Sequence, residues 1–507
     1  MDALDRLKFR RQFLFGPRPV TLPGEWQICH PGPGWALMVQ HDLPFRHGKT
    51  ADGAGLILLG FILDPEIPES SDQQIFERLT QTKNWEGLLD ATTNLSGRWV
   101  IFHIAGGRVR VVNDATALRS VYYSVAGEEP WCFSQPGLYR SVKKLQYSSG
   151  AVVFINARKT QKDFEACFPG ASSPYTEVAH LLSNHFLDLE ARVVTRFWPN
   201  KRLEPISLEE GVSESARILR QSMRAITSRG EAAFAITAGR DSRTLLAASR
   251  DVSKKLWVHT SMYGELTQTS PDMRVSAEIC AIAGMKHNVF QCPKRMSKGF
   301  KSVFMNNNDP AHAFWGRICE GVRAAYPGDM ICVRGNVSEA ARCVFYPTGI
   351  HPSHVDADGL VRVCKMPSND FSRKHFGDWL EDARRATEQW GYKVLDLLFL
   401  EHRMSNWLAI SQTEYDIVYD TFSPYSNRRL ITAFLATPVE TRIKPQSVIY
   451  KELIRKMWPE LLPFPFNPPD TQIAKLLHKA RKAQWQLNAL LGRRPLHVQL
   501  EWRGVNS

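Results

Sequence analysis

No run of about eighteen apolar residues, the length that crosses a bilayer as a helix, occurs anywhere in the chain. No membrane span is therefore expected. The opening residues, Met1-Asp2-Ala3-Leu4-Asp5-Arg6-Leu7-Lys8, lack the apolar core of a secretory signal, which argues for a cytoplasmic protein. Cysteine is scarce and scattered: nine residues, at 29, 132, 167, 280, 292, 319, 332, 343 and 364, with no C-x-x-C pair. An odd, dispersed set argues against a zinc site and fits reduced thiols better than a disulfide scaffold. Internal repeats and low-complexity tracts are absent. Acidic residues are outnumbered, 51 Asp and Glu against 64 Lys and Arg, which leaves a net charge of +13. Such a surface attracts nucleic acid, anionic lipid or an acidic substrate. No nucleic-acid fold signature accompanies it, so nucleic acid is the less favoured partner and a well-solvated basic surface the simpler reading.

What is present is globular. Hydrophobic residues make up 43% and charged residues 23% of 507 positions, enough for two or three domains. The first part reads as β-rich. Gly55–Ile62 is a buried-strand candidate. Arg98–Ile104 and Arg108–Asn113 flank a Gly106-Gly107 turn, as hairpin partners do. Ser120–Ser124 and Trp131–Ser134 suggest another pair, and Ala151–Ile155 a late strand. The texture changes over 168–206, and the boundary is placed near 205. A helix is expected over Leu208–Ile226, opened by Glu209 and Glu210. More helix follows over 373–411, divided at Gly391. The segment Ile473–Leu491 is basic and amphipathic. It suits either a helix docked on its own domain or contact with an acidic partner or membrane surface.

The chemistry concentrates at Phe234-Ala235-Ile236-Thr237-Ala238-Gly239-Arg240-Asp241-Ser242-Arg243-Thr244-Leu245-Leu246. A short apolar run, a small-residue turn and a second apolar run with helical character predict strand, tight loop and helix. Such a loop aims backbone N–H groups and the positive helix end at an anion. Thr237 and Ser242 add hydroxyls, Arg240 and Arg243 add charge, and Asp241 could hold a hard cation such as Mg²⁺. A phosphate site and an ordinary β–α turn both satisfy this pattern.

Thr237-Ala238-Gly239-Arg240-Asp241-Ser242 resembles the pyrophosphate loop S-G-G-x-D-S of the N-type ATP pyrophosphatases, with Thr for Ser and Ala for the first Gly. Further elements make the chain similar to the asparagine synthetase-like family. Leu256–Thr260 looks like the next strand. Asp272, with Ala277, Ala281, Gly284 and His287 after it, is similar to the family helix that precedes an L-G-x-x-H turn. Ser423-Pro424-Tyr425-Ser426-Asn427-Arg428-Arg429-Leu430 resembles S-P-F-L-D-R-R-L, and Lys451–Arg455 resembles K-x-x-L-R. The first half resembles that family's glutaminase domain: Ser96–Ile101 stands where G-D-F-A-F would be, and Asn113–Tyr123 where R-D-x-x-G-x-R-P-L-Y-Y would be. Beta-lactam synthetases and lasso-peptide cyclases share these features.

The resemblance implies an α/β protein. Residues 1–205 would form an αββα N-terminal-nucleophile-like domain. Residues 206–507 would form a Rossmann-like ATP pyrophosphatase domain, similar to adenine nucleotide alpha hydrolases, with extra helices. It implies ATP-dependent amide-bond formation through an acyl-adenylate, with a small-molecule or peptide carboxylate and an amine or ammonia as substrates, and it admits a homodimer. ATP and Mg²⁺ would be bound by Thr237, Gly239, Asp241, Ser242, Arg243, Thr260 and Gly335, with Asp241 on the metal. Glu339, Asp420 and Lys451 are the catalytic candidates. Their plainer alternatives are a helix start, a turn cap and a solvated helix face. The family's second acidic motif, G-D-G-A-D-E, falls at Arg334-Gly335-Asn336-Val337-Ser338-Glu339, one residue short. The family's nucleophilic cysteine is replaced by Asp2, and its N-G-E segment by Leu59-Gly60-Phe61. Amide attack needs that sulfur, so no glutamine hydrolysis is expected. A binding protein that keeps the fold and an RNA-modifying pyrophosphatase-loop enzyme are the rivals.

Overall fold

A computed structural model describes residues 4–159, 167–309, 311–443, 445 and 447–468. The expected helix over 473–491 lies outside them. The first half contains strands β1 (Phe13–Gly16), β2 (Trp26–Gly32), β3 (Trp35–Gln40), β4 (Phe45–Lys49), β5 (Gly55–Leu63), β6 (Ser96–Ala105), β7 (Arg108–Asn113), β8 (Tyr122–Ser124), β9 (Cys132–Phe133), β10 (Val178–His180), β11 (His185–Asp188) and β12 (Val193–Arg196). They form two antiparallel six-stranded sheets, ordered β10-β8-β9-β1-β3-β2 and β12-β11-β7-β6-β5-β4. Alternation on β5 and β6 explains the layering. Ile57, Leu59, Val100 and Phe102 point between the sheets onto Phe13, Phe15 and Leu37. Leu56, Leu58, Trp99 and Ile101 point outward onto Ile75, Phe76 and Leu88, which lie on helices α1 (Asp72–Thr80) and α2 (Trp85–Ala91).

The hairpin across Gly106-Gly107 and the β8–β9 pair form as the sequence predicts. Ala151–Ile155 does not. It lies within helix α3 (Ser149–Lys159), with Ala151, Phe154, Ile155 and Arg158 buried. These are helical intervals, and packing on the aromatic Phe371 overrides the β-branched Val152-Val153 pair.

The second half holds a parallel sheet of β13 (Ala232–Ala235), β14 (Leu256–Met262), β15 (Asn288–Gln291), β16 (Cys332–Val333) and β17 (Thr421–Phe422), ordered β15-β14-β13-β16-β17. The chain moves outward from β13 in one direction, then returns to build the other. Helix α4 (Leu208–Thr227) opens with a Ser207–Glu210 capping box, as its acidic start implies. Helix α5 (Arg240–Ala248) follows β13. Helix α6 (Asp370–Trp390) stops at Gly391, which takes the left-handed φ of 77°. Helices α7 (Arg428–Ala436) and α8 (Val448–Met457) complete the layer over α4 and α5. Phe61, Leu63, Leu118, Phe154 and Trp198 join one hydrophobic core with α4, α5 and α8. Among the described residues no helix is long and apolar enough to cross a membrane.

Candidate functional site

In open parallel sheets ligands settle at the carboxyl ends of the strands, where the strand order reverses. Here that point lies between β13 and β16, and the Thr237–Gly239 loop leaves β13 there. The loop is internally tied. Ser242 Oγ accepts the Thr237 N–H at 3.1 Å, and the Thr237 hydroxyl accepts the Gly239 N–H at 3.1 Å. Asp272 accepts the Ala238 N–H at 2.8 Å. Gly239 is the N-cap of α5 and supplies no side-chain cap. The first N–H groups of α5 thus lack a side-chain cap, with the positive helix end behind them.

Gly335, just after β16, lies flat against this helix start. A Cβ there would sit 2.9 Å from Ser242 N and 3.0 Å from the Asp241 carbonyl carbon. Backbone, not a movable side chain, sets that limit. Gly335→Ala is expected to displace the helix start and cost about 1–3 kcal/mol, which thermal melts check.

Two carboxylates face each other across this contact. Asp241 Oδ2 lies 3.5 Å and Glu339 Oε1 3.3 Å from the same Arg342 Nη2. Asp241 Oδ1 and Glu339 Oε2 are buried without a hydrogen-bond partner among the described residues. Burial pushes the Glu339 carboxyl up, Asp241 pushes it further, and Arg342 partly offsets both. One guanidinium thus serves two acids, which leaves hard oxygen donors that fit a cation such as Mg²⁺. Val337 positions Glu339 with φ 72°, a left-handed conformation that a β-branched side chain rarely adopts.

Beside the loop is a cavity of about 90 Å³, bounded by Thr237, Thr260, Tyr263, Asp272, Arg334 and Tyr415. Arg334, the residue after β16, is not among the site residues that the sequence leads one to expect. Its guanidinium stacks over Tyr415 at 4.6 Å, has no acidic ion-pair partner among the described residues, and buries Nη1 unsatisfied. An unpaired cation of this kind calls for an anionic ligand group. The signal for it, an isolated Arg at a strand end, is visible in sequence only once the strand is placed.

Other expected residues are placed differently. Thr260 donates to the Ile236 carbonyl at 2.8 Å and meets His287 Nε2 at 2.8 Å, so its hydroxyl holds the cavity wall. Arg243, expected to face phosphate or a carboxylate, turns the other way. It donates to the carbonyls of Phe464, Pro465 and Ala238 and stacks on Phe466 at 4.2 Å. With no acid beside it, burial lowers it to about 10. Lys451 is exposed on α8, while its neighbour Tyr450 donates inward to the Ser338 carbonyl at 2.6 Å.

Asp420 is 5% exposed and takes Arg98 Nη1 at 2.7 Å and Arg119 Nη2 at 2.5 Å. Asp416 takes Arg98 as well, through Nη2 at 2.8 Å. Arg98 and Arg119 thus form an ionic seam between the halves. Phe61 meets Phe422 edge-on at 6.0 Å. Residues before β1 join this seam: Arg11 donates to the Asp416 carbonyl at 2.9 Å, and Arg10 pairs with Asp329 at 2.8 Å.

No protein-family model matches the chain, and no curated protein matches it significantly. Among solved structures it is similar to glutamine phosphoribosylpyrophosphate amidotransferase from B. subtilis complexed with ADP and GMP. That match has 9% identity and a TM-score of 0.24, over 66% of this chain and 71% of that one. A structure described as the allosteric regulatory enzyme of purine biosynthesis gives 9%, 0.24, 66% and 72%. Superposition this poor decides nothing about function.

Proposed function

We propose that the chain is an ATP-dependent amide-forming ligase of the asparagine synthetase-like class, with a Rossmann-like ATP pyrophosphatase domain behind an N-terminal-nucleophile-like one. It would activate a carboxylic acid as an acyl-adenylate, release pyrophosphate, and pass the acyl group to a free amine or ammonia. The observation that carries this reading is the uncapped start of α5 at the strand-order reversal, with Asp241 and Glu339 converging on it. The left-handed Val337 supports it as well. A positive φ is the mark of a glycine position, so aligning Val337 with the second Gly of G-D-G-A-D-E removes the missing residue and sets Glu339 at the motif's second Asp.

In this reading the N–H groups at the start of α5 receive the leaving pyrophosphate, stabilised by the helix end. Asp241 and Glu339 would hold Mg²⁺, which neutralises phosphate charge. Arg334 holds the acid by charge-assisted hydrogen bonds. Asp420, locked between two arginines, keeps the two halves in register rather than moving a proton. Glutamine is not the nitrogen source in this scheme, because Arg98 and Phe61 are committed to the seam.

The test is AMP-forming pyrophosphate exchange with panels of carboxylic acids. Exchange with none of them would sink the reading. Arg334→Met is expected to raise the KM for the acid about tenfold or more, with the KM for ATP changed less than about twofold. The cavity, at about 90 Å³, is small beside ordinary ligand sites of about 300–1,000 Å³. That favours a second reading, a binding protein that keeps the fold; the absence of a thermal shift with ATP would select it.

A further inference from the structure

A second, larger cavity lies elsewhere, and nothing in the ligase reading uses it. About 600 Å³ opens where both sheets of the first half end, between β10 and β12, and α6 roofs it. It shares no lining residue with the cavity at the phosphate loop. Tyr123, Val178, Val194, Phe371, His375 and Trp379 give it an aromatic and aliphatic wall. Its volume is that of an ordinary small-molecule site.

Charge decides what fits. Every charged side chain in the wall already has an opposite. Asp382 Oδ2 meets Arg196 Nε at 2.7 Å and His185 Nε2 at 3.0 Å. Asp378 pairs with Lys374 at 2.7 Å. Arg385, largely exposed, points at Asp382 from 3.9 Å. An ionic ligand would therefore lose its hydration without gaining a counter-charge. Two imidazoles remain open, and one is His180, whose Nε2 is buried without a hydrogen-bond partner among the described residues. The other, His375, stands edge-on to Phe371 at 4.6 Å, and its ring nitrogens have no hydrogen bond among the described residues. Burial lowers its basicity, which leaves a neutral imidazole able to give or take one hydrogen bond.

We propose that this cavity is a second ligand site, for an uncharged, ring-bearing organic molecule with one hydroxyl or amide group that bonds His375. Calorimetric titration of the full chain at neutral pH with 2-naphthol, 2-naphthoate and 2-naphthylmethylammonium tests it, because the ring is constant and only the charge changes. The expected result is 2-naphthol binding at least about tenfold more tightly than either ion. Val194→Trp, at the partly exposed β12 edge, should abolish that binding without touching the core. His375→Phe should weaken 2-naphthol about fivefold to tenfold and leave 2-methylnaphthalene unchanged. The proposal is overturned if either ion binds as well as 2-naphthol, if Val194→Trp binds at full affinity, or if 2-naphthol needs more than about 1 mM.

Discussion

Replacing Asp420 by asparagine is expected to destabilise the fold by about 3–5 kcal/mol, the cost of removing one partner from a buried ion pair. Arg98 and Arg119 are 0% and 1% exposed. After the change, Arg119 retains only Asp416, 3.5 Å away. The uncompensated guanidinium, more than the lost attraction, sets the penalty. Adding Arg119→Met should therefore recover part of it, and a double-mutant cycle by chemical denaturation measures the coupling. The pH dependence has a definite sign. Burial alone would raise the Asp420 carboxyl; Arg119 and then Arg98 outweigh it and hold it well below the carboxylate range. A folded value below the unfolded one of about 3.9 means full stabilisation above that pH, lost as pH falls through the folded value. The gap between wild type and Asp420→Asn should narrow below about pH 4. A constant gap down to pH 2 would contradict this account of the seam.

Asp241→Ala should reduce pyrophosphate exchange about a thousandfold while leaving the melting temperature unchanged or slightly raised. Both halves of that expectation come from one geometry. Asp241 has a single distant ion pair, at 3.5 Å, and an unsatisfied buried oxygen. It also pushes the Glu339 carboxyl upward. In the proposed function a side chain that helps the fold so little and opposes its neighbour serves a ligand, and removing it relieves repulsion. Glu339→Gln should repeat the pattern. A large loss of stability in either variant would mean that the carboxylates hold the loop together rather than serve a cation, and undiminished exchange would remove Asp241 from the chemistry.

The strand–loop–helix at 234–246 was legible because local patterns dictate it: small apolar residues in β13, a glycine N-cap, then helix-forming Thr244-Leu245-Leu246. The β6–β7 hairpin and the stop at Gly391 were legible for the same reason, since a two-residue turn and a left-handed cap leave compositional marks. Ala151–Ile155 misled because five apolar residues carry no period that separates strand from helix. Arg243 misled in another way. Its position in the loop suggested phosphate, but side-chain direction depends on what packs nearby, and Phe464–Phe466 lies more than two hundred residues downstream.

The sequence by itself determined the strand, loop and helix at 234–246 and the residue types gathered there, because these follow from neighbours along the chain. Only the tertiary structure decided which side chains are spent and which are left open. Asp420, Arg243 and Thr260 are consumed by partners brought from far away. Arg334, Asp241 and Glu339 keep unsatisfied atoms because none arrives. Electrostatic and hydrogen-bond satisfaction is a property of three-dimensional neighbours, and no spacing rule along the chain encodes it.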